Sequence, residues 1–308
     1  MHRFAILVCA LAPSIVFLQY GIAKARLRWN DAMVWEVYFS GGIAAVIALL
    51  PELLLKKAIA IDAMAPVHGA ATEALFIAAI PEELAKFAML FVAVRRYGGD
   101  TDRHDMITLS FAVALGFAAI ENIGYLLIPG DWHLVALSRA GLSVPMHGLD
   151  GLAMGACLTA ARLSRLHRPG WLAAALVIPI LMHALFDFPL MLVTRNSGFA
   201  GVLPAWILLE TLLTIGVLWW CNNVRTAALH AYGLSHEPRS PWTTGILILL
   251  CAPLLALIAL LQDSHAAITA VEMLIMPSIF GIDLLCTSWR SSYSTSVPFG
   301  IGSPHQRL

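Results

Sequence analysis

Charge is scarce in this chain. Asp, Glu, Lys and Arg make up 12% of its 308 residues, 59% are hydrophobic and the mean hydropathy is +0.80. That composition excludes an ordinary soluble domain and reads as a polytopic membrane protein. Basic and acidic residues balance at 19 each, with no basic stripe, so nothing here suits nucleic acid as a partner. Cysteine is sparse too: Cys9, Cys157, Cys221, Cys251 and Cys286 lie in or beside apolar segments, with no CxxC pair and no ligand-like spacing. Packing is the role this implies, not disulfides or zinc. No HExxH signature occurs, no internal repeat is visible, and no stretch resembles a large soluble domain.

What the chain has in quantity is long apolar runs. At about 20 apolar residues per crossing, spans read at 4–23, 34–55, 70–95, 106–128, 134–161, 171–194, 202–221, 243–262 and 266–286. The last, with Glu272 and Asp283, is the weakest, so the expected fold is an all-α polytopic transmembrane helical bundle with eight or nine spans. The first run lacks a clear small-x-small cleavage site and reads as a retained anchor. Basic residues gather in alternate loops: Lys24, Arg26 and Arg28; Arg95, Arg96 and Arg103; Arg162, Arg165 and Arg168; Arg225 and Arg239. The positive-inside rule places these in the cytoplasm and the N-terminus outside, in a plasma (inner) membrane protein. Lys56 and Lys57 run against the pattern, in a segment from Glu52 to Pro66 that reads as a short interfacial amphipathic helix. The organisation that results is 1–69 with two helices and that segment, a four-helix core at 70–195, and further spans with a polar tail at 196–308.

Against this apolar background the few charges stand out. Residues 71–96 carry Glu82, Glu83 and Lys86 at membrane depth, where ionisable groups are expensive and mark function. Lys86 is four residues from Glu82 and three from Glu83, so it reaches either carboxylate and leaves one to spare. Pro81 just before them removes a backbone hydrogen bond and bends the helix. The next three spans bring Glu121 and Asn122, then Arg139, His147 and Asp150, then His183 and Asp187. At 1.5 Å per residue, Glu82, Glu121, His147 and His183 lie about 18, 22, 20 and 18 Å into their spans. Helices running alternately up and down thus deliver acids and imidazoles to one depth, which argues for a shared polar chamber.

The chemistry of that set favours activated water over a covalent nucleophile, because no buried serine or cysteine repeatedly pairs with a base. One of Glu82 and Glu83 would be paired and the other free to act as general base. His147 or His183, with Asn122, would donate to the oxyanion, and Asp187 would orient His183 from one turn away. Two histidines and a glutamate also resemble a catalytic zinc set with an open fourth position, for which Glu83, His147 and His183 are the candidate ligands. Arg139 lies near the outer end of its helix, from where it can snorkel to the surface. Gly148, Gly151 and Gly155 suit close helix packing. Buried acids and histidines are equally natural in a proton- or cation-coupled transporter, although the inverted repeats of such proteins are not visible.

PEELAK (Glu82, Glu83, Lys86), GFAAIENIGY (Gly116 to Tyr125), an arginine followed by VPMHGLDGLAMG (Val144 to Gly155), and HALFD (His183 to Asp187) occur in that order. Together they resemble the PrsW family of intramembrane proteases, within the superfamily of the CAAX prenyl proteases. The resemblance covers about residues 70–195. It implies an intramembrane endopeptidase acting on a membrane-protein substrate, in that family a membrane-bound anti-sigma factor. It implies catalytic positions at Glu82, Glu83, Glu121, His147 and His183, with Lys86, Asn122, Arg139 and Asp187 in support. Glu121, where the prenyl-protease branch typically has histidine, points to the PrsW side. Relatives have been described both as glutamate-type and as metal-dependent. The expectation taken here is glutamate-activated water with no cofactor required, and a zinc-dependent protease is the alternative.

Overall fold

The structure is a computed structural model that describes residues 2–24, 31–96, 105–128, 130, 132–232 and 277–283. Its long helices are α1 (His2–Lys24), α2 (Asp31–Ala58), α4 (Ile80–Arg96), α5 (Met106–Leu127), α7 (Val144–Leu163), α8 (Arg168–Arg195) and α9 (Leu203–Ala231). Short helices α3 (Pro66–Thr72) and α6 (Trp132–Ser138) precede π-helical segments Glu73–Ala79 and Arg139–Ser143, which run directly into α4 and α7. No strand occurs among the described residues. Among the described residues, five helices are long and apolar enough to cross a membrane: Phe4–Lys24, Ala32–Ala58, Met106–Leu127, Arg168–Arg195 and Ser197–Ala231. The stretches 66–96 and 132–163 are also continuously helical but carry the charged residues and the π-helical interruptions. The spans expected at 243–262 and 266–286 lie outside the described residues apart from 277–283, which is helical.

α5 is the central post of the bundle. The apolar window of its span is 83% buried, against 28–39% for the other four, which therefore turn most of their surface to the bilayer. Its residues Met106 to Ala119 are buried without a break, and Asp105 caps its first turn by accepting from the Thr108 amide at 3.1 Å. Small residues let its neighbours in: a Cβ on Gly116 would overlap the Tyr38 carbonyl of α2, and one on Gly155 of α7 would stand 2.5 Å from the Met106 carbonyl. In lipid, where apolar side chains gain little by leaving the tails, such close backbone approach is what holds helices together. The outer faces carry Phe39, Val46, Leu50, Leu208, Leu212 and Trp219, all largely exposed, as a lipid-facing surface requires.

The segment from Glu52 to Pro66 is not a separate interfacial helix. α2 continues to Ala58, Lys56 and Lys57 occupy its last turn, and only the short 3-10 turn Ile61–Ala63 precedes α3. Lys56 reaches across to Glu73 at 3.4 Å, so its charge is met by the protein.

Candidate active site

Two helices enter the site by the same local device. In the segment Glu73–Ala79 the backbone is π-helical, and the Ile80 amide donates to the Leu75 carbonyl, five residues back. In Arg139–Ser143 the Val144 amide does the same to Arg139. The next donor in each register would be Pro81 or Pro145, which have no N–H, so the wide coil stops there and the α-helix takes over. Glu83 and His147 each stand two residues beyond their proline. Their side chains meet around Lys86.

Lys86 Nζ is fully buried and lies 2.7 Å from Glu83 Oε1, 2.9 Å from His147 Nδ1 and 3.5 Å from Glu82 Oε2. It also sits over the Phe117 ring at 4.1 Å. Because an ammonium only donates, His147 Nδ1 is the acceptor, and its Nε2–H faces Glu121 Oε2 at 2.7 Å. Glu121 is held from its other side by the Arg139 guanidinium, which also donates to Asn122 and lies over the Tyr125 ring at 4.2 Å. On the opposite wall His183 Nδ1 is 2.9 Å from Glu83 Oε1, and its Nε2 is 3.3 Å from Asp187 Oδ2 and 3.8 Å from Glu82 Oε2. The two imidazole rings stand edge to face with centroids 5.3 Å apart.

The two adjacent glutamates are therefore unlike. Glu83 is fully buried and bonded to both Lys86 and His183, whereas Glu82 Oε2 is buried with no hydrogen-bond partner. A second unmatched set lies beside them, since Glu83 Oε2 and Asp150 Oδ1 are also buried without partners. Buried acceptors left bare are costly and rare, so three in one chamber mark a place built to receive something.

All nine residues expected from the sequence come to this one place, and the structure narrows the position of Arg139 and the bonding of Asn122. Arg139 does not snorkel: it is 9% exposed and turned inward onto Glu121 and Asn122, because a guanidinium matched by a carboxylate and an amide gains more inside than at the surface. Asn122 donates one amide hydrogen to the Ala10 carbonyl at 3.2 Å and accepts from Arg139 at its oxygen, which ties α1, α5 and Arg139 together and leaves its second amide hydrogen available. Asp150 was not among the expected site residues, yet its Oδ2 lies 4.0 Å from His183 Nδ1. Its spacing from His147, three residues on one helix face, was the signal available.

The model of the PrsW family intramembrane metalloproteases matches residues 30–217. The chain belongs to the PrsW family. Among curated proteins it is similar to Protease PrsW of Bacillus subtilis, 30% identical over 220 residues that span 70% of this chain and 92% of that protein. It is similar to Protease PrsW of Halalkalibacterium halodurans at 29% over 218 residues, 70% of this chain and 93% of that protein, and of Clostridioides difficile at 29% over 191 residues, 61% and 75%. No solved structure matches. This PrsW-family chain is thus a peptidase and an integral membrane protein.

The family description implies a metal, and the residues fit one. Glu83, His147, Asp150 and His183 each offer a ligand atom, all within 4.8 Å of one another, and all four residues are buried. Two imidazoles and two carboxylates are the donor types of zinc sites. The bare Glu83 Oε2 and Asp150 Oδ1 are lone pairs that Lys86 does not use, whereas His147 Nδ1 holds the Lys86 ammonium and would have to exchange it for the metal. Glu82, Glu121 and His147 form a second close group on the other side of the His147 ring.

Proposed function

We propose that the chain hydrolyses a peptide bond of a membrane-anchored protein substrate inside the bilayer, with Glu82 as the base that activates water. The observation that carries this reading is the asymmetry of the acid pair: Glu83 is engaged by Lys86 and His183, while Glu82 Oε2 is buried and bare. We assign Glu83, His147, Asp150 and His183 as the residues that would hold a divalent metal, zinc by donor type. A bound zinc ion lowers the pKa of water and polarises a carbonyl. This departs from the cofactor-free expectation because of the donor cluster and the bare Asp150 oxygen.

In the sequence of steps, Glu82 takes a proton from water as its oxygen adds to the scissile carbonyl carbon and the carbonyl electron pair moves onto oxygen. Lys86, fully buried among the reacting groups, offsets the developing negative charge more strongly than it would in water. Protonated Glu82 then gives its proton to the amide nitrogen as the C–N bond breaks, which releases an amine and a carboxylic acid, and the acid's proton passes to the amine to leave a carboxylate and an ammonium. Glu121 and Arg139 keep His147 in one tautomer, and Asp187 does the corresponding work for His183. A membrane-tethered anti-sigma factor is the substrate that the family resemblance supports. The eight or nine spans, the plasma membrane and an outside N-terminus complete the proposal.

The test is cleavage of a membrane-tethered reporter by purified full-length protein, with metal content measured alongside. Glu82→Gln is expected to keep the metal and lose cleavage, and Glu83→Gln to lose both. Full activity in both single variants would overturn the reading. Chelator-resistant activity in metal-free protein would return it to glutamate-activated water alone.

A further inference from the structure

Family similarity ends before the contacts with the site do. The family model stops at residue 217 and the relatives are matched over most of their own length, yet the helical segment 277–283 packs into the same core. Phe280 is fully buried. Its ring meets Phe17 and Tyr20 of α1 edge-on at centroid distances of 5.3 and 5.0 Å, and stacks on Phe111 of α5 at 6.4 Å. Asp283, one turn further, receives Lys24 Nζ at 2.7 Å, the Tyr20 hydroxyl at 2.7 Å and the Asn222 amide of α9 at 3.1 Å. Phe111 is itself hemmed in: a Cβ on Gly148 would stand 2.6 Å from its Cε2, and one on Gly21 2.7 Å from its Cδ1. Gly148 is the residue after His147. A line of packed rings thus runs from the segment 277–283, through Phe111, to the turn of α7 that carries His147 and Asp150.

We propose that the segment 277–283 is a positioning element for the catalytic helix of this chain, with Phe280 as its wedge and Asp283 as its pin. Phe280 backs Phe111, and Phe111 sets how closely α7 approaches α5 at Gly148. Interiors packed at crystal density transmit displacement instead of absorbing it, so loss of the wedge lets Phe111 retreat and α7 settle inward. His147 and Asp150 then shift together against Glu83 and His183, which ride on other helices. The inference rests on the proteolytic reading of the site.

Three measurements on the full-length protein test it: kcat and KM on a tethered reporter, zinc affinity by competition with a chromogenic chelator, and the thermal midpoint. Phe280→Ala is expected to lower kcat about tenfold with KM little changed, since small misplacements of reacting groups act on the chemical step. Zinc affinity should weaken with it, which a loss of stability alone would not produce in the folded fraction. If that variant does not fold, Phe280→Leu keeps the volume and removes the ring face. Lys24→Asp and Asp283→Lys should each impair kcat, and the swapped double variant should recover most of it. Gly148→Ala forces Phe111 towards Phe280, so combining it with Phe280→Ala should cost less than the two single effects summed, in thermal midpoint as well as in kcat. Wild-type kcat and zinc affinity in the Phe280 variants, or strict additivity of the Gly148 and Phe280 changes, would overturn the proposal. A wild-type protein that cleaves no peptide would count against the proteolytic reading, and the zinc and thermal measurements would still decide this one.

Discussion

Two buried polar clusters lie in this bundle, and they are built on opposite principles. At the end of α1, Lys24 and Arg225 face Asp283 and Asp105, and each Asp oxygen has a donor or cation: Lys24, Tyr20 and Asn222 on Asp283, the Thr108 amide and Arg225 on Asp105, where Arg225 Nε stands 3.7 Å away without a hydrogen bond. In the chamber, Glu82, Glu83, Glu121, Asp150 and Asp187 surround Lys86 and Arg139, the only permanent cations there among the described residues, and Glu82, Glu83 and Asp150 each keep a buried oxygen that accepts no hydrogen bond, with Lys86 3.5 Å from that of Glu82. A cluster that only holds helices together is under pressure to satisfy every group, because each unmet one costs stability. A cluster that must take up a metal, a water and a peptide has to leave groups unmet until those arrive. The unmet oxygens, more than the charges themselves, separate the site from the clamp.

Substitution can break that contrast. The largest effect is expected for Glu82→Leu, which should abolish reporter cleavage while raising the thermal midpoint, because it removes a bare buried carboxylate and adds apolar volume. A lowered midpoint would mean that Glu82 is a structural partner like Asp283. Lys86→Met should also abolish cleavage, and it should destabilise by about 3–5 kcal/mol, since Glu83 and His147 lose their shared donor. An unchanged melt would remove Lys86 from the centre of the network. Asp150→Asn is expected to weaken zinc binding about 10- to 100-fold, measured by chelator competition. Wild-type affinity there would leave Glu83, His147 and His183 as the whole ligand set.

The clamp should answer differently. Asp283→Asn is expected to lower the thermal midpoint, with a smaller loss of activity than any chamber variant, because the buried Lys24 loses its 2.7 Å ion pair. Glu210 gives the finest discrimination. Its buried carboxylate on α9 has no partner beyond the Trp206 indole one turn earlier on the same helix, so Glu210→Leu should stabilise the protein and change kcat little. A large loss of activity instead would extend the chamber to α9.

How much of this was legible beforehand depends on sequence distance. The spans at 4–23, 34–55, 106–128 and 171–194 correspond to α1, α2, α5 and α8 within a few residues, since apolar runs of membrane length carry their own signal. The acid pair with Lys86 was readable because its members are three and four residues apart. The π-helical segments were not, because nothing in residues 73–79 or 139–143 distinguishes a five-residue hydrogen bond from a four-residue one until the following proline is set in place. For Arg139 the sequence left both a surface and a supporting role open, because its partner Glu121 lies 18 residues away on another helix.

By itself the sequence determined that this is a helical membrane protein whose few apolar-segment charges fall in four consecutive stretches, and it carried the motifs that place the chain in its family. Those are matters of composition, local spacing and order. Only the tertiary structure decided which glutamate is free, that Asp150 joins the donors, that Arg139 turns inward, and that Phe280, far beyond Gly148 in the chain, backs the helix of His147. The reason is that hydrogen-bond satisfaction belongs to pairs of atoms from distant helices. No one-dimensional pattern records which oxygen of a carboxylate has found a donor and which has not.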